Sequence, residues 1–530
     1  MRLHLNQLKD RAISIAAVVY PFIAYTRLKN EMSFKTQKAF LLLFRNIKYQ
    51  WDKFQTTVSH SITLSFRLRL LSTMSFGSWL SFVSSEIGLD TLVHSSWDVY
   101  IIIALRMIRL IGFGSTSLIL ALYLKSLGID ESYIGLFMTL TFVGDLTTSF
   151  VLSLVTDQIG RKRVLVLCSI LMLATGVVFT TIDNYFFLLV TAVVGILTPS
   201  GGEVGPFRTI EQSSIASLCN QRDRSDVYAW YTFLGLFCAA FGSFVAGLIV
   251  EFTRSEWGFS DLKSYKSVFA LYCILSLIGV VLSLLVSGDI ESKKQLAESI
   301  LVADEESPGE GASETTQLLA NEEEPKPKSR FFNLLPYLSP DVYLIVLKIS
   351  LLFGLDSFAS SLTPLSWTSY YIKKKFGIPS SYLGSVFFVT GFISGFTSLG
   401  STSMTKRLGP VVTMVATHLP ASILLAVLPF PNSFLVTLII LVLRASMQTM
   451  DVAPKHVFLA ATVPDDDRTA VFGFVNVVKT LAQIVGPSIV GILTENGLQW
   501  ITFVIGGSLK VAYDLGVLVT FLTFNKNAAY

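Results

Sequence analysis

The stretch "TDQIGRKRVLVL", residues 156–167, sets an acid, a glycine and three consecutive cations between two long apolar runs. Outward from it the chain is oily. Of 530 residues, 52% are hydrophobic and 15% charged, where a soluble protein carries about 25% charged residues. Mean hydropathy is +0.60. This composition points to a polytopic membrane protein. The formal net charge of +4 argues against a nucleic-acid partner, which would call for a concentrated basic face.

A membrane helix needs roughly 20 mostly apolar residues to cross about 30 Å of hydrocarbon. Such runs fall near 99–124, 132–155, 163–182, 185–217, 227–251 and 264–287, then near 342–371, 381–403, 410–428, 434–462, 469–493 and 499–524. The expected fold is an all-α membrane protein of twelve transmembrane helices in two six-helix repeats, residues 98–287 and 339–525. Between them, 288–338 includes "ADEESPGEGASETTQLLANEEEPKPKSR". That segment is acidic and rich in Ser, Pro and Gly, too polar to bury a core, and reads as a disordered linker. Residues 1–97 carry about a dozen Lys and Arg and few acids. They read as a basic extension resting on anionic lipid, with a presequence as the alternative.

The halves echo each other. "EVGP" at 203–206 returns as "DVAP" at 451–454, "DRSDVYAW" near Arg224 as "DRTAVFGF" at Arg468, and "LGIDESYIG" at 127–135 as "FGIPSSYLG" at 376–384. Paired six-helix halves are a transporter architecture.

The charged turn falls between the second and third runs. Lys and Arg concentrate on the cytoplasmic side, so this turn, both termini and the linker are expected there. Gly160 permits a tight reversal. Asp157 can accept bonds from Arg161 or from the free N–H groups of the next helix. With Lys162, these residues make a candidate conformational latch; a plain topological anchor is the alternative.

"SLVTDQIGRKRVLVL" resembles the loop signature of the major facilitator superfamily, G-x-x-x-D-R-x-G-R-R/K, with Asp157, Gly160, Arg161 and Lys162 in place. Ser153 and Gln158 stand where the family has glycine and arginine. The second-half counterpart, "TSMTKRLGP", keeps Gly409 and loses the acid. "MDVAPKHVFLAATVPDDDRTAVFGF" is similar to drug- or metabolite-exporter-like members. The resemblance covers residues 99–524 and implies that the first, fourth, seventh and tenth helices line a central cavity.

Ionisable residues inside spans are costly and mark pathways. The candidates for a substrate or proton pathway are Arg106, Arg109, Asp145, Glu203, Arg208, Glu211, Asp356, Asp451 and Lys455. Arg444, Lys479, Lys510 and Asp514 also lie in spans. The near balance of signs suggests pairing: Asp145 with Arg106 or Arg109, Asp451 with Lys455 at i,i+4, and Lys510 with Asp514 as a structural clamp. His418, alone in the ninth span, reads as a packing residue. A carboxylate in an apolar cavity can exchange protons near neutral pH, but neighbouring cations act in the opposite sense.

No nucleotide-binding loop, metal cluster or nucleophile elbow is present in the sequence. An enzyme is therefore not expected, nor a cofactor or metal. The expectation is a secondary transporter that moves a small solute by alternating access, with protons as a candidate coupling ion. The alternative is a transporter-like sensor or scaffold that no longer transports. In the linker, "ETTQLL" resembles an acidic dileucine sorting signal, with Glu314, Leu318 and Leu319 as its key residues. Recognition by a sorting adaptor would send the protein to a vacuolar, lysosomal or endosomal membrane; the plasma membrane is the alternative.

Overall fold

The computed structural model describes residues 89–195, 197–200, 206–220, 223–291, 340–462 and 468–521. Of a few helical residues, Asp157 among them, only the backbone is described. Most of 1–97 and of the linker, Glu203, and the sorting residues Glu314, Leu318 and Leu319 lie outside the described residues.

The described residues form helices and no strand. A short helix, Leu89–Val93, precedes the first span. In the first half the spans are Trp97–Ser126, Glu131–Ile159, Arg161–Thr181, the pair Tyr185–Val194 and Pro206–Leu218, Arg224–Ser255, and Asp261–Leu285. In the second they are the pair Pro340–Ser361 and Leu365–Phe376, then Ser380–Leu408, Pro410–Val427, the pair Phe434–Ala445 and Val452–Thr462, the pair Arg468–Ile484 and Gly486–Glu495, and Gln499–Phe521. Among the described residues, nine helical stretches are long and apolar enough to cross a membrane.

Four spans expected as single helices are broken, and proline marks each break. Pro199 precedes the second helix of the fourth span, Pro364 caps that of the seventh, Pro454 lies in the first turn of that of the tenth, and Pro487 in that of the eleventh. Proline lacks an N–H and suits a first helical turn, where that donor has no partner anyway.

The repeat is visible in the backbone. Gly128 and Gly377 have φ of 81° and 62°, and Gly160 and Gly409 have φ of 102° and 81°, at matching turns of the two halves. Residues with side chains avoid that region. Gly160 is further fixed from outside, since a Cβ there would lie 3.0 Å from Glu291 Oε1.

We call the end of the bundle carrying the Gly160 turn the basic face, and the opposite end the far face. The halves are joined toward the far face. Gly135 of the second span meets Gly491 of the eleventh so closely that a Cβ on either would sit 2.9 Å from the other's Cα. Gly247 of the fifth and Gly384 of the eighth meet in the same way at 3.1 Å. Small residues let backbones approach where lipid supplies no hydrophobic drive. Polar contacts lie alongside. Tyr370 donates to Glu131 at 2.8 Å, Lys374 lies 3.7 Å from the same carboxylate, and Thr139 and Ser488 hydroxyls are 2.7 Å apart. Nearer the middle, the Ser366 hydroxyl is 2.6 Å from the Pro199 carbonyl and the Ser369 hydroxyl donates to Leu118 at 2.6 Å.

Candidate functional site

Two networks of buried charge form among the described residues, one inside each half. In the first half, Arg109 grips Glu211 with two parallel bonds of 2.7 and 2.8 Å. Tyr231 of the fifth span donates to the same carboxylate at 2.8 Å. The Arg106 guanidinium stacks 3.8 Å over the Tyr231 ring, and Arg109 lies 4.1 Å from the Phe207 ring centroid. Arg109 and Glu211 are 4% and 0% exposed, so the fork-to-fork geometry that strengthens such pairs is formed out of water. The Arg109 side also borders a small cavity with Ser169, Met172, Leu275 and Ser276 of the third and sixth spans. The pair thus lies toward the back of its half.

Sequence reasoning paired Asp145 with Arg106 or Arg109, and the structure corrects this. Glu211 takes Arg109, while buried Asp145 makes no ion pair among the described residues and its Oδ1 has no hydrogen-bond partner. Glu211 lies a hundred residues from Arg109 in the chain, so no local spacing announces the match.

The second half holds a larger cluster. Asp356 of the seventh span receives Lys455 of the tenth at 2.8 Å and Lys510 of the twelfth at 2.7 Å. Lys455 also reaches Asp451 at 2.5 Å, forming the expected i,i+4 pair. His418 Nδ1 lies 2.9 Å from Asp514, and its Nε2 lies 3.7 Å from Asp356 and 4.0 Å from Asp451. Ser422 donates to Asp514 at 3.2 Å and Lys510 to Ser360 at 2.7 Å. Two expectations are corrected here. Lys510 and Asp514 do not clamp each other; each turns to a different partner on another helix. His418 is no inert packing residue, because three carboxylates from three spans converge on it.

Asp356, His418 and Asp451 bring ligand-type atoms within 4.8 Å of one another. The Lys455 ammonium stands between the two carboxylates at hydrogen-bond distance. The place a cation would take is filled by a side chain of the protein itself.

The halves use the same elements with opposite charge. The first puts its cation on the first span and its acid on the fourth; the second puts its acid on the seventh and its cation on the tenth.

At the charged turn, Glu291 was missed by sequence reasoning. Its carboxylate accepts from the backbone N–H of Arg161 at 2.7 Å and of Lys162 at 3.2 Å. It thereby caps the third span, the role expected of Asp157, and its negative charge suits a helix N-terminus. The Arg161 guanidinium donates to Ile290 at 2.8 Å and reaches Ser217 of the fourth span at 3.3 Å. Residues 288–291, expected as the start of the linker, thus belong to the folded first half. Arg208 is exposed.

Residues 102–355 and 349–528 match the Major Facilitator Superfamily. The chain is 32% identical over 430 residues to an uncharacterized membrane protein of Saccharomyces cerevisiae, covering 81% of this chain and 95% of that one. It is similar in fold to a D-xylose-proton symporter, with a TM-score of 0.59 and 15% identity over 79% of this chain and 96% of that chain. A nucleoside transporter, NupG, superposes with a TM-score of 0.56 and 15% identity over 80% and 99% of the two chains. The chain belongs to the major facilitator superfamily of membrane transporters.

Proposed function

We propose that the protein is a secondary active transporter that carries a small solute by alternating access, coupled to protons, with its basic face in the cytoplasm. One observation carries the reading. The halves touch toward the far face, while each half is clamped internally by its own ion pairs. Two stiff bodies with an interface at one end can rock about a site between them. In this reading the Glu291–Arg161 contacts stiffen the first half, and the turn acts as an anchor within it.

Proton coupling rests on the second-half cluster. His418 lies within 4.0 Å of three carboxylates from three other spans, Asp356, Asp451 and Asp514, and is the first proposed proton carrier. Asp145, buried without an ion-pair partner among the described residues, is the second carrier.

Solute counterflow and pH-driven uptake in proteoliposomes, screened across metabolites and drugs, test the reading. The expected result is saturable flux that responds to the pH gradient and loses that response in His418→Gln or Asp145→Asn. Absence of flux from well-folded protein across the screen would leave a membrane sensor or scaffold, using the acidic linker to hold partners.

A further inference from the structure

Three buried apolar cores divide the described residues. One, toward the far face, is built by both halves. Leu118 of the first span and Leu197 of the fourth share it with Leu362 of the seventh and Leu441 of the tenth. The other two lie toward the basic face, and each belongs to a single half. Phe113 and Phe207 stand in the one, Phe353 and Phe458 in the other. Halves that share a core at one end and keep separate cores at the other leave a cleft between them. Its apex lies where the shared core stops.

On the tenth span that core stops at Leu441, and Arg444 follows one turn later. Arg444 lies about 15 Å along its helix from Phe434, roughly half the thickness of the hydrocarbon. The helix has two sides. Thr437, Ile440, Leu441 and Ala445 are buried, while Leu435, Val436, Ile439 and Leu443 are exposed and apolar, as a lipid-facing side must be. Arg444 stands at i+7 from Thr437, i+4 from Ile440 and i+3 from Leu441, so it shares the inward side. It is nevertheless only half-buried. A guanidinium turned to hydrocarbon at that depth is expensive, and the open part of Arg444 faces the cleft below the shared core.

The Arg444 side chain makes no hydrogen bond or ion pair with a described residue. Asp451, the next acid along the span, is taken by Lys455 at 2.5 Å. Past Arg444, the Gln448 amide donates to the Ser394 hydroxyl of the eighth span at 3.3 Å, and the Thr449 hydroxyl to the Ser394 carbonyl at 2.7 Å. These polar groups serve each other and leave the guanidinium alone. A charge inside a membrane bundle that holds nothing together lowers stability, and breaches of that kind sit at functional sites.

We propose that Arg444 receives the carboxylate, phosphate or sulfonate of the carried solute at the apex of the cleft. The proposal rests on the transport reading above and adds the substrate class. The guanidinium offers a planar fork of donors matched to an oxyanion. The shared core beyond it stops the solute at this level while the far face is closed.

Two measurements test it. The first is stability without solute in detergent micelles. Arg444→Leu exchanges an unpaired charge for an apolar side chain, and should leave the unfolding midpoint unchanged or raise it by a few degrees. A midpoint lowered by a few degrees would show that the guanidinium already has a partner in the chain, and overturns the proposal. The second places a thiol beside the site. Gln448→Cys, in a chain with Cys219→Ser and Cys273→Ser, is reacted in phosphatidylcholine vesicles with two methanethiosulfonates, one carrying a sulfonate and the other a trimethylammonium group. The native Cys168 and Cys238 are buried. Relative to a free thiol in the same suspension, the sulfonate reagent should be preferred by about tenfold, the lower range for a one-sign cleft. Arg444→Gln should abolish the preference and Arg444→Lys should keep it. No preference, or one that survives Arg444→Gln, overturns the proposal. So does preferential transport of a cation or neutral solute at a rate indifferent to Arg444→Gln, which would leave the transport reading intact. Loss of the preference on adding phosphatidylglycerol at constant salt would give the guanidinium to a lipid headgroup and overturn it as a solute site. An Arg444-dependent preference in a protein that moves nothing would sustain the anion site and sink the transport reading.

Discussion

Arg109 and Glu211 meet at full burial, with both guanidinium nitrogens and Tyr231 on one carboxylate. Such a pair gains little over a well-packed apolar pair, but removing one partner strands a charge in low dielectric at a cost of about 3–5 kcal/mol. Glu211→Gln should therefore lower unfolding stability by about that amount, whereas Arg109→Met with Glu211→Leu should recover most of it. Denaturation in detergent micelles checks both. A loss below about 1 kcal/mol in the single variant would show that the pair does not clamp the half. Residue by residue, legibility followed distance along the chain. Asp451 stands at the N-terminal edge of the helix that carries Lys455, and their pairing is read from i,i+4 spacing. His418 looked solitary because its partners Asp356, Asp451 and Asp514 come from three other spans, and only the packing of a half brings them together.

Among the elements, the spans were legible because hydrocarbon thickness imposes a length and composition that any window detects. Their breaks were less so. Pro364 and Pro487 end helices where the apolar run continues, and hydropathy does not register a lost N–H. The cap by Glu291 was hidden for another reason: it sits at the edge of an acidic stretch whose composition reads as linker. Its role makes a specific expectation. Glu291→Gln keeps a hydrogen-bonding oxygen but removes the charge at the third span's N-terminus, worth about 0.3–1 kcal/mol there. Amide exchange of residues 161–165 should quicken by a few-fold, with the fifth and sixth spans unchanged. Unchanged exchange at 161–165 would show that the contact holds nothing in place.

At the scale of the whole molecule, the repeat was visible in "EVGP" and "DVAP", and in "SYIG" and "SYLG", whose glycines Gly135 and Gly384 occupy matching places in two interfaces. What the sequence did not reveal is that the Arg109–Glu211 and Asp356–Lys455 pairs each lie inside one half, since a charge in a span can point inward or toward the cleft. The linker adds an address. If Glu314, Leu318 and Leu319 form a sorting signal, a fluorescent fusion resides in a vacuolar, lysosomal or endosomal membrane. Leu318→Ala with Leu319→Ala then moves it toward the cell surface; an unmoved double variant excludes the signal.

The central claim is that two rigid halves rock about their interface, so that opening one face closes the other. Electron–electron distances between spin labels measure this directly. One pair is placed at the basic face, on Ser217 and Arg407, and one at the far face, on Glu256 and Asn432, all exposed positions. Gly135→Leu, which cannot fit against Gly491, should push the far face apart. The account predicts that the Glu256–Asn432 distance lengthens while the Ser217–Arg407 distance shortens in the same molecules. A far face that opens with no change at the basic face, or distances that lengthen together, would contradict it.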